Sequence, residues 1–269
     1  NSASSDAITL ASDGTCTANI TNNLSNRNKI INGAMTVHQR ASTVTGITNH
    51  GYRTADRYQL NVSTGTFTNT ISTDTPDEFG SSFKLDCTTA DTSLAADDNV
   101  LIKQKIEGQN LQDFAKGTSA AQQFAVSFYI KTNKSGVYTV EIKDVDNSRI
   151  ATKTITVSDA NWNRYTLIFP ADTTGALNND NGASLELIIW LAAGTTFTSG
   201  TLNTSSWASS VNANRVSSSN VNFADSTSNE FYLTGVQLEV GGVATDFEHR
   251  SYADELRRCQ RYFERVTLN

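Results

Sequence analysis

The chain has 269 residues, 38% of them hydrophobic, and a formal net charge of −6. Twelve Phe, eight Tyr and three Trp exclude a chain that never packs, and the length suffices for a core. An acidic balance without a basic stripe excludes a nucleic-acid surface, and no apolar run reaches the roughly 18 residues of a membrane helix.

The opening NSASSDAITL has neither a basic nor an apolar signal region and reads as the cut end of a longer protein. After it, Ile8, Leu10, Cys16, Ala18 and Ile20 alternate on either side of Asp13-Gly14, which is a hairpin signal. A lone two-stranded hairpin is marginal in water, so a neighbouring copy is the natural surface for it. Residues 22–28 read as a linker. The chain thus divides into a β stem for oligomerisation over 1–28 and one large domain over 29–269. In NKIINGAMTVHQR (28–40), Ile30, Ile31, Met35 and Val37 form an apolar patch around a turn at Asn32-Gly33.

Strands are predicted near Tyr58–Val62, then in FTNTIST (67–73), SSFKLDCTT (81–89) and around Leu101–Ile106, where a short helical turn follows. QQFAVSFYIKTN (122–133) places Phe124, Val126, Phe128 and Ile130 on one face. Residues 136–158 read as a hairpin turning at Asp146-Asn147-Ser148. NWNRYTLIFP (161–170), LELIIWLAAG (185–194) and NEFYLTGVQLEV (229–240) are further strands. The polar stretch 195–229 is either an elaborate loop or a strand pair with decorated turns. Strand signals at this spacing, with almost no helical period, predict an all-β jelly roll or β-sandwich.

The chain closes differently. Ser251 and Asp254 form a variant capping box, and Tyr252, Leu256, Cys259, Phe263 and Val266 make one stripe of 3.6 period. A short amphipathic helix is predicted over about 252–266, docked on the sandwich or on a partner chain. Cys16, Cys87 and Cys259 are too sparse for a disulfide framework or a zinc site and read as buried thiols.

Three stretches together resemble a family of phage and prophage tail-fibre and tail-appendage proteins. They are NKIINGAMTVHQR, the Asp56-Arg57-Tyr58 signature, and FYLTGVQLEVGGVATDFEHRSYADELRRCQRYF, which holds Thr234–Glu239, Phe247-Glu248 and Cys259–Tyr262 in order. IKQKIEGQNLQDF resembles an internal family segment, and the likeness spans about 28–265. The resemblance implies a jelly-roll domain similar to carbohydrate-binding modules on a virion, without catalysis. It implies a homotrimer, other tail proteins as partners, and host cell-surface polysaccharide as the target outside the cell.

The residues themselves show no nucleophile constellation. His38, His50 and His249 lack metal spacing, and Asp77-Glu78, Asp97-Asp98 and Asp144/Asp146 sit in turn-like contexts. The D-x-D-N run at Asp144, Asp146 and Asn147 lacks the glycine and distant glutamate of a calcium loop and reads as a turn. No cofactor is expected, and nothing places a structural calcium ion. Sugar rings stack on exposed aromatic rings, with polar groups bonding the hydroxyls. Trp190 reads as core. Trp207, in the polar stretch with Asn212 and Arg215 nearby, and Trp162, between two asparagines, are the carbohydrate-binding candidates. An architectural virion protein without a glycan and a polysaccharide depolymerase are the alternatives.

Overall fold

In the computed structural model, residues 25–266 are described, preceded by 8–10, 12, 14 and 16–18. The strands are β1 (Ile8–Leu10), β2 (Cys16–Ala18), β3 (Thr43–Ile47), β4 (Gly51–Tyr52), β5 (Tyr58–Val62), β6 (Thr66–Ser72), β7 (Ser82–Thr89) and β8 (Asn99–Glu107). They continue with β9 (Phe124–Thr132), β10 (Gly136–Asp144), β11 (Arg149–Val157), β12 (Asn163–Phe169), β13 (Ala183–Ala193), β14 (Ala208–Ser209) and β15 (Glu230–Val240). Among the described residues the α-helices are α1 (Thr195–Thr198) and α2 (Tyr252–Gln260).

β1 and β2 pair antiparallel across the expected hairpin, with Ile8 opposite Ala18 and Leu10 opposite Cys16. Asp13 and the linker up to residue 24 lie outside the described residues. The remaining strands build two antiparallel sheets. One runs β14-β11-β10-β13-β8-β5-β4 and the other β12-β9-β15-β7-β6-β3. The protein is an all-β sandwich of the jelly-roll type.

Alternation puts every second residue of each strand into the space between the sheets. Val100, Ile102 and Ile106 of β8, Tyr138, Val140 and Ile142 of β10, and Leu185, Leu187, Ile189 and Leu191 of β13 meet Phe124, Val126, Phe128 and Ile130 of β9 in one buried cluster. The opposite parity of the same strands faces out from the seven-stranded sheet. There Leu101, Ile188 and Trp190 form a second apolar cluster with Val216.

The family-like stretches converge on one lock. In β15 the register shifts between Thr234 and Gln237, and Gly235 there takes φ of +62°. This β-bulge bends the strand toward the 28–37 loop. Val236 N donates to Gly33 O at 3.0 Å, and a Cβ on Gly33 would stand 2.2 Å from Val236 O. Only glycine permits that approach. Asn28 Oδ1 accepts from Ile30 N and Leu238 N, and Asn28 Nδ2 donates to Val236 O. Glu239 accepts from Thr245 N and Oγ1, each at 2.8 Å.

Helix α2 docks on its own sandwich. Its N-cap Ser251 Oγ accepts from Asp254 N at 3.2 Å, as the capping signal predicts. The buried face differs from the predicted stripe: it carries Glu255 and Cys259, while Tyr252 and Val266 are 60% and 68% exposed. Glu255 is held inside by charge. It accepts from Arg250 Nη1 at 2.9 Å and from the backbone N–H of Asn32. The helix also ends at Gln260, short of the expected 266. Beyond it the Tyr262 and Phe263 rings lie under the guanidinium groups of Arg57 and Arg40, at 3.3 and 3.6 Å. Those cation–π contacts draw the chain across the sandwich and away from a helical course. Burial pushes the Cys259 thiol up to about 12 and raises that of Cys87, so both are inert, buried thiols. The Cys16 side chain lies outside the described residues.

Candidate functional site

The outer face of the seven-stranded sheet is ordered by its register into three cross-strand rows. Thr139, Trp190, Leu101 and Asn61 form one; Glu141, Ile188, Lys103 and Gln59 the next; Lys143, Glu186 and Lys105 the third. Chain-distant residues thereby share one polar surface with an apolar strip in it.

The 195–229 stretch covers part of that strip. It is an elaborate loop with one helical turn, two 3-10 turns and the two-residue edge strand β14. Gly194 N donates to Asp98 O at 2.8 Å, Thr196 N to Ala96 O at 2.8 Å, and Val216 N to Phe197 O at 3.0 Å. These bonds hold Phe197 against Trp190, with ring centroids 5.1 Å apart. Arg215 follows. Its Nε and Nη2 reach the two carboxylate oxygens of Glu141 at 2.8 and 3.0 Å, and its guanidinium lies 4.9 Å from the Trp190 ring centre. Trp190 Nε1 donates to the same Glu141 carboxylate at 2.8 Å. Glu141 is completely buried, so the bidentate arginine and the indole are what make its charge tolerable there.

Beside this cluster lies an open cleft of about 160 Å³, lined by polar groups from His50 to Arg215 over Leu101, Ile188 and Trp190. Lys103 Nζ stands 3.0 Å from Glu186. Asn61 Oδ1 and Gln59 Oε1 are buried acceptors without a hydrogen bond among the described residues, and both lie on this face. An apolar floor ringed by amide and cationic side chains suits a hydroxyl-rich ligand.

Of the sequence-stretch candidates, only Arg215 lines this cleft. Asn212 is exposed, opens a 3-10 turn nearby and is not part of the lining. Trp162 belongs to the other sheet. Its Nε1 donates to Asp74 at 2.9 Å and its ring meets the edge of Tyr232 at 6.0 Å. The expectation for Trp207 as an open stacking platform is corrected: the side chain is 8% exposed and belongs to the core. Its Nε1 donates to Pro170 O at 2.8 Å, Phe124 packs at 6.2 Å, and Lys116 Nζ sits 4.9 Å from the ring centre. Trp207→Ala is therefore expected to lower stability by about 3–5 kcal/mol, the usual cost of deleting a buried indole. Urea denaturation checks this; an unchanged midpoint would return the ring to the surface.

The acidic pairs serve turns and ion pairs. Asp98 Oδ2 accepts from Ala95 N at 2.7 Å, and Asp146 Oδ2 from Asn178 N at 2.9 Å. Asp144 is buried against Lys116 at 2.5 Å and caps Asn147 N at 2.9 Å, consistent with a turn. Lys116 also reaches Asp172 at 3.1 Å. Burial would raise the Asp172 carboxyl, but hydrogen bonds from Arg149 and Lys116 outweigh it and hold the group below the ordinary range.

Glu141, Lys143 and Glu186 escaped the sequence reading. One signal was present: in LELIIWLAAG, Ile188 and Trp190 take the parity opposite to Leu185, Leu187 and Ile189. A second apolar face on a strand requires a second cover, which here is the 195–229 loop.

The architecture and cleft define a class: a β-sandwich module with a polar cleft on one sheet. No family model matches the sequence, and no curated protein matches it. Among solved structures, the chain is similar to a sugar-binding candidate from Bacteroides thetaiotaomicron VPI-5482, at 12% identity, TM-score 0.44, over 80% of this chain and 100% of that one. It is similar to the family 11 carbohydrate-binding module of Clostridium thermocellum, solved with a mixed-linked tetrasaccharide, at 11% identity, TM-score 0.35, over 78% and 99%. The CBM22-1 xylan-binding domain of Paenibacillus barcinonensis Xyn10C gives 11%, 0.32, 75% and 94%. At such identities and scores, the role of the cleft rests on its own residues.

Proposed function

We propose that this chain is a non-catalytic glycan-binding domain of a phage tail fibre or tail appendage, trimeric, which adsorbs to host cell-surface polysaccharide. The observation that carries the glycan reading is the cleft on the seven-stranded sheet. It sets Asn61, Lys103, Lys143, Glu186 and Arg215 around an apolar floor. The virion reading rests on the family-like stretches, and the trimer on that resemblance and the hairpin formed by β1 and β2. Three weak sites on one trimer add by avidity. Glu141 and Glu186, the carboxylates nearest the cleft, are each ion-paired, at 2.8 Å with Arg215 and 3.0 Å with Lys103. Neither is poised as a general acid, which favours binding over depolymerisation.

The test combines light scattering on the purified chain, a binding screen on bacterial surface polysaccharides, and an assay for released reducing ends. A trimer that retains polysaccharide without releasing reducing ends is expected. A trimer that retains none supports the architectural reading instead. Reducing ends that accumulate make it a depolymerase, and a monomer removes the fibre assembly.

A further inference from the structure

Charge in the cleft is distributed unlike charge in the chain. The protein carries a net −6, yet the lining holds Lys103, Lys143 and Arg215 against Glu186 alone. Glu141 beneath Arg215 brings this to three cations against two carboxylates, and those two are already taken. Glu186 is engaged by Lys103 at 3.0 Å and approached by Lys105 at 4.0 Å. Lys143 is the direct register partner of Glu186 on β10, yet it makes no ion pair or hydrogen bond among the described residues. Arg215 commits Nε and Nη2 to Glu141 and leaves Nη1 with no protein acceptor among the described residues.

Both of these donors border the same cleft. Glu141 and Lys143 are two residues apart on one strand, so their side chains leave the same face about 7 Å from each other. Arg215 is seated on Glu141 and borders the same cleft as Lys143. A pyranose ring carrying a carboxylate fits between such donors, and charge-assisted bonds to it are the strong ones. A cleft partly shielded from solvent screens them less than an open surface does.

On the glycan-binding reading above, we propose that the cleft selects an acidic sugar, a uronic acid residue or another carboxylate-bearing unit. Lys143 and Arg215 Nη1 grip the carboxylate, while the amide side chains of Asn61 and Asn99 in the lining bond ring hydroxyls. Selectivity for acidic over neutral polymers then comes from Lys143, because it is the lining cation that makes no ion pair among the described residues.

The experiment is an array of bacterial surface polysaccharides, each printed as isolated and again after reduction of its carboxyl groups to alcohols. The full chain and Lys143→Gln are compared on it, with melting temperatures recorded for both. Binding to uronate-containing polymers is expected to fall at least tenfold on carboxyl reduction, and by a similar factor in Lys143→Gln at unchanged melting temperature. Equal binding to native and reduced polymers, or acidic binding that Lys143→Gln leaves intact, overturns the acidic-sugar inference and leaves the glycan reading standing. Binding to no polymer of either form overturns both.

Discussion

Arg215→Ala is expected to be among the most damaging single changes outside the sandwich core. It removes both guanidinium bonds from Glu141, whose carboxylate is fully buried, and uncovers the Trp190 ring. Breaking a buried pair by deleting one partner costs about 3–5 kcal/mol, because the remaining charge is stranded. The indole N–H of Trp190 still donates to Glu141, which places the expected loss near the lower end, about 3 kcal/mol. Pairing Arg215→Met with Glu141→Gln is expected to recover most of it, since the amide oxygen still accepts from Trp190 and no charge remains. Urea denaturation of the two variants decides the matter. If Arg215→Ala is as stable as the parent, the arginine is solvated and its whole guanidinium serves ligand rather than structure.

The second large effect is expected at Asn32. Its side chain is completely buried and makes three bonds: Nδ2 to Val37 O at 2.8 Å and to Asp56 O at 3.0 Å, and Oδ1 from Val37 N at 2.9 Å. Its φ of +61° lies in the left-handed region, where asparagine is tolerated and alanine is strained by about 1 kcal/mol. Three net bonds at about 1 kcal/mol each and the backbone strain put Asn32→Ala near 4 kcal/mol of destabilisation. Asn32→Gly removes the strain and is expected to be milder by a few tenths of a kcal/mol to about 1 kcal/mol. A loss below 1 kcal/mol in Asn32→Ala, read from the denaturation midpoint, would show that the Asn-Gly motif does not lock the fold and would reopen a recognition role for it.

That point matters because several residues of the stretches that resemble tail-fibre proteins serve to close the sandwich. Asn28 and Gly33 fasten to β15, the Asn32 backbone N–H reaches Glu255 of α2, Asp56 accepts from Arg40 at 2.9 Å, Arg57 stacks on Tyr262, and Glu248 receives the backbone N–H of Asn28 at 2.8 Å. These residues act through backbone geometry and sandwich closure. They lie apart from the cleft, which is built on β5, β8, β10 and β13 and walled by the 195–229 loop.

What the sequence determined by itself was whatever depends on near neighbours along the chain. Alternation in 122–133 specified a strand and its buried face, the patterns of 136–158 and 229–240 specified strands, and Ser251 specified where the last helix begins. The glycine of Asn32-Gly33 marked a tight place. What only the tertiary structure decided was every property that depends on register between distant strands. Pairing of β13 with β10 and β8 put Lys143 beside Glu186 and Trp190 beside Leu101. Burial of Trp207 and the inward turn of Glu255 were equally invisible, because a loop tryptophan and a helix glutamate are exposed or buried according to what packs over them. Here that is Pro170 and Phe124 for one, Arg250 and Asn32 for the other. Periodicity is a local property of the chain, whereas the partners that satisfy a buried charge or cover a ring are brought together only when the sheets close.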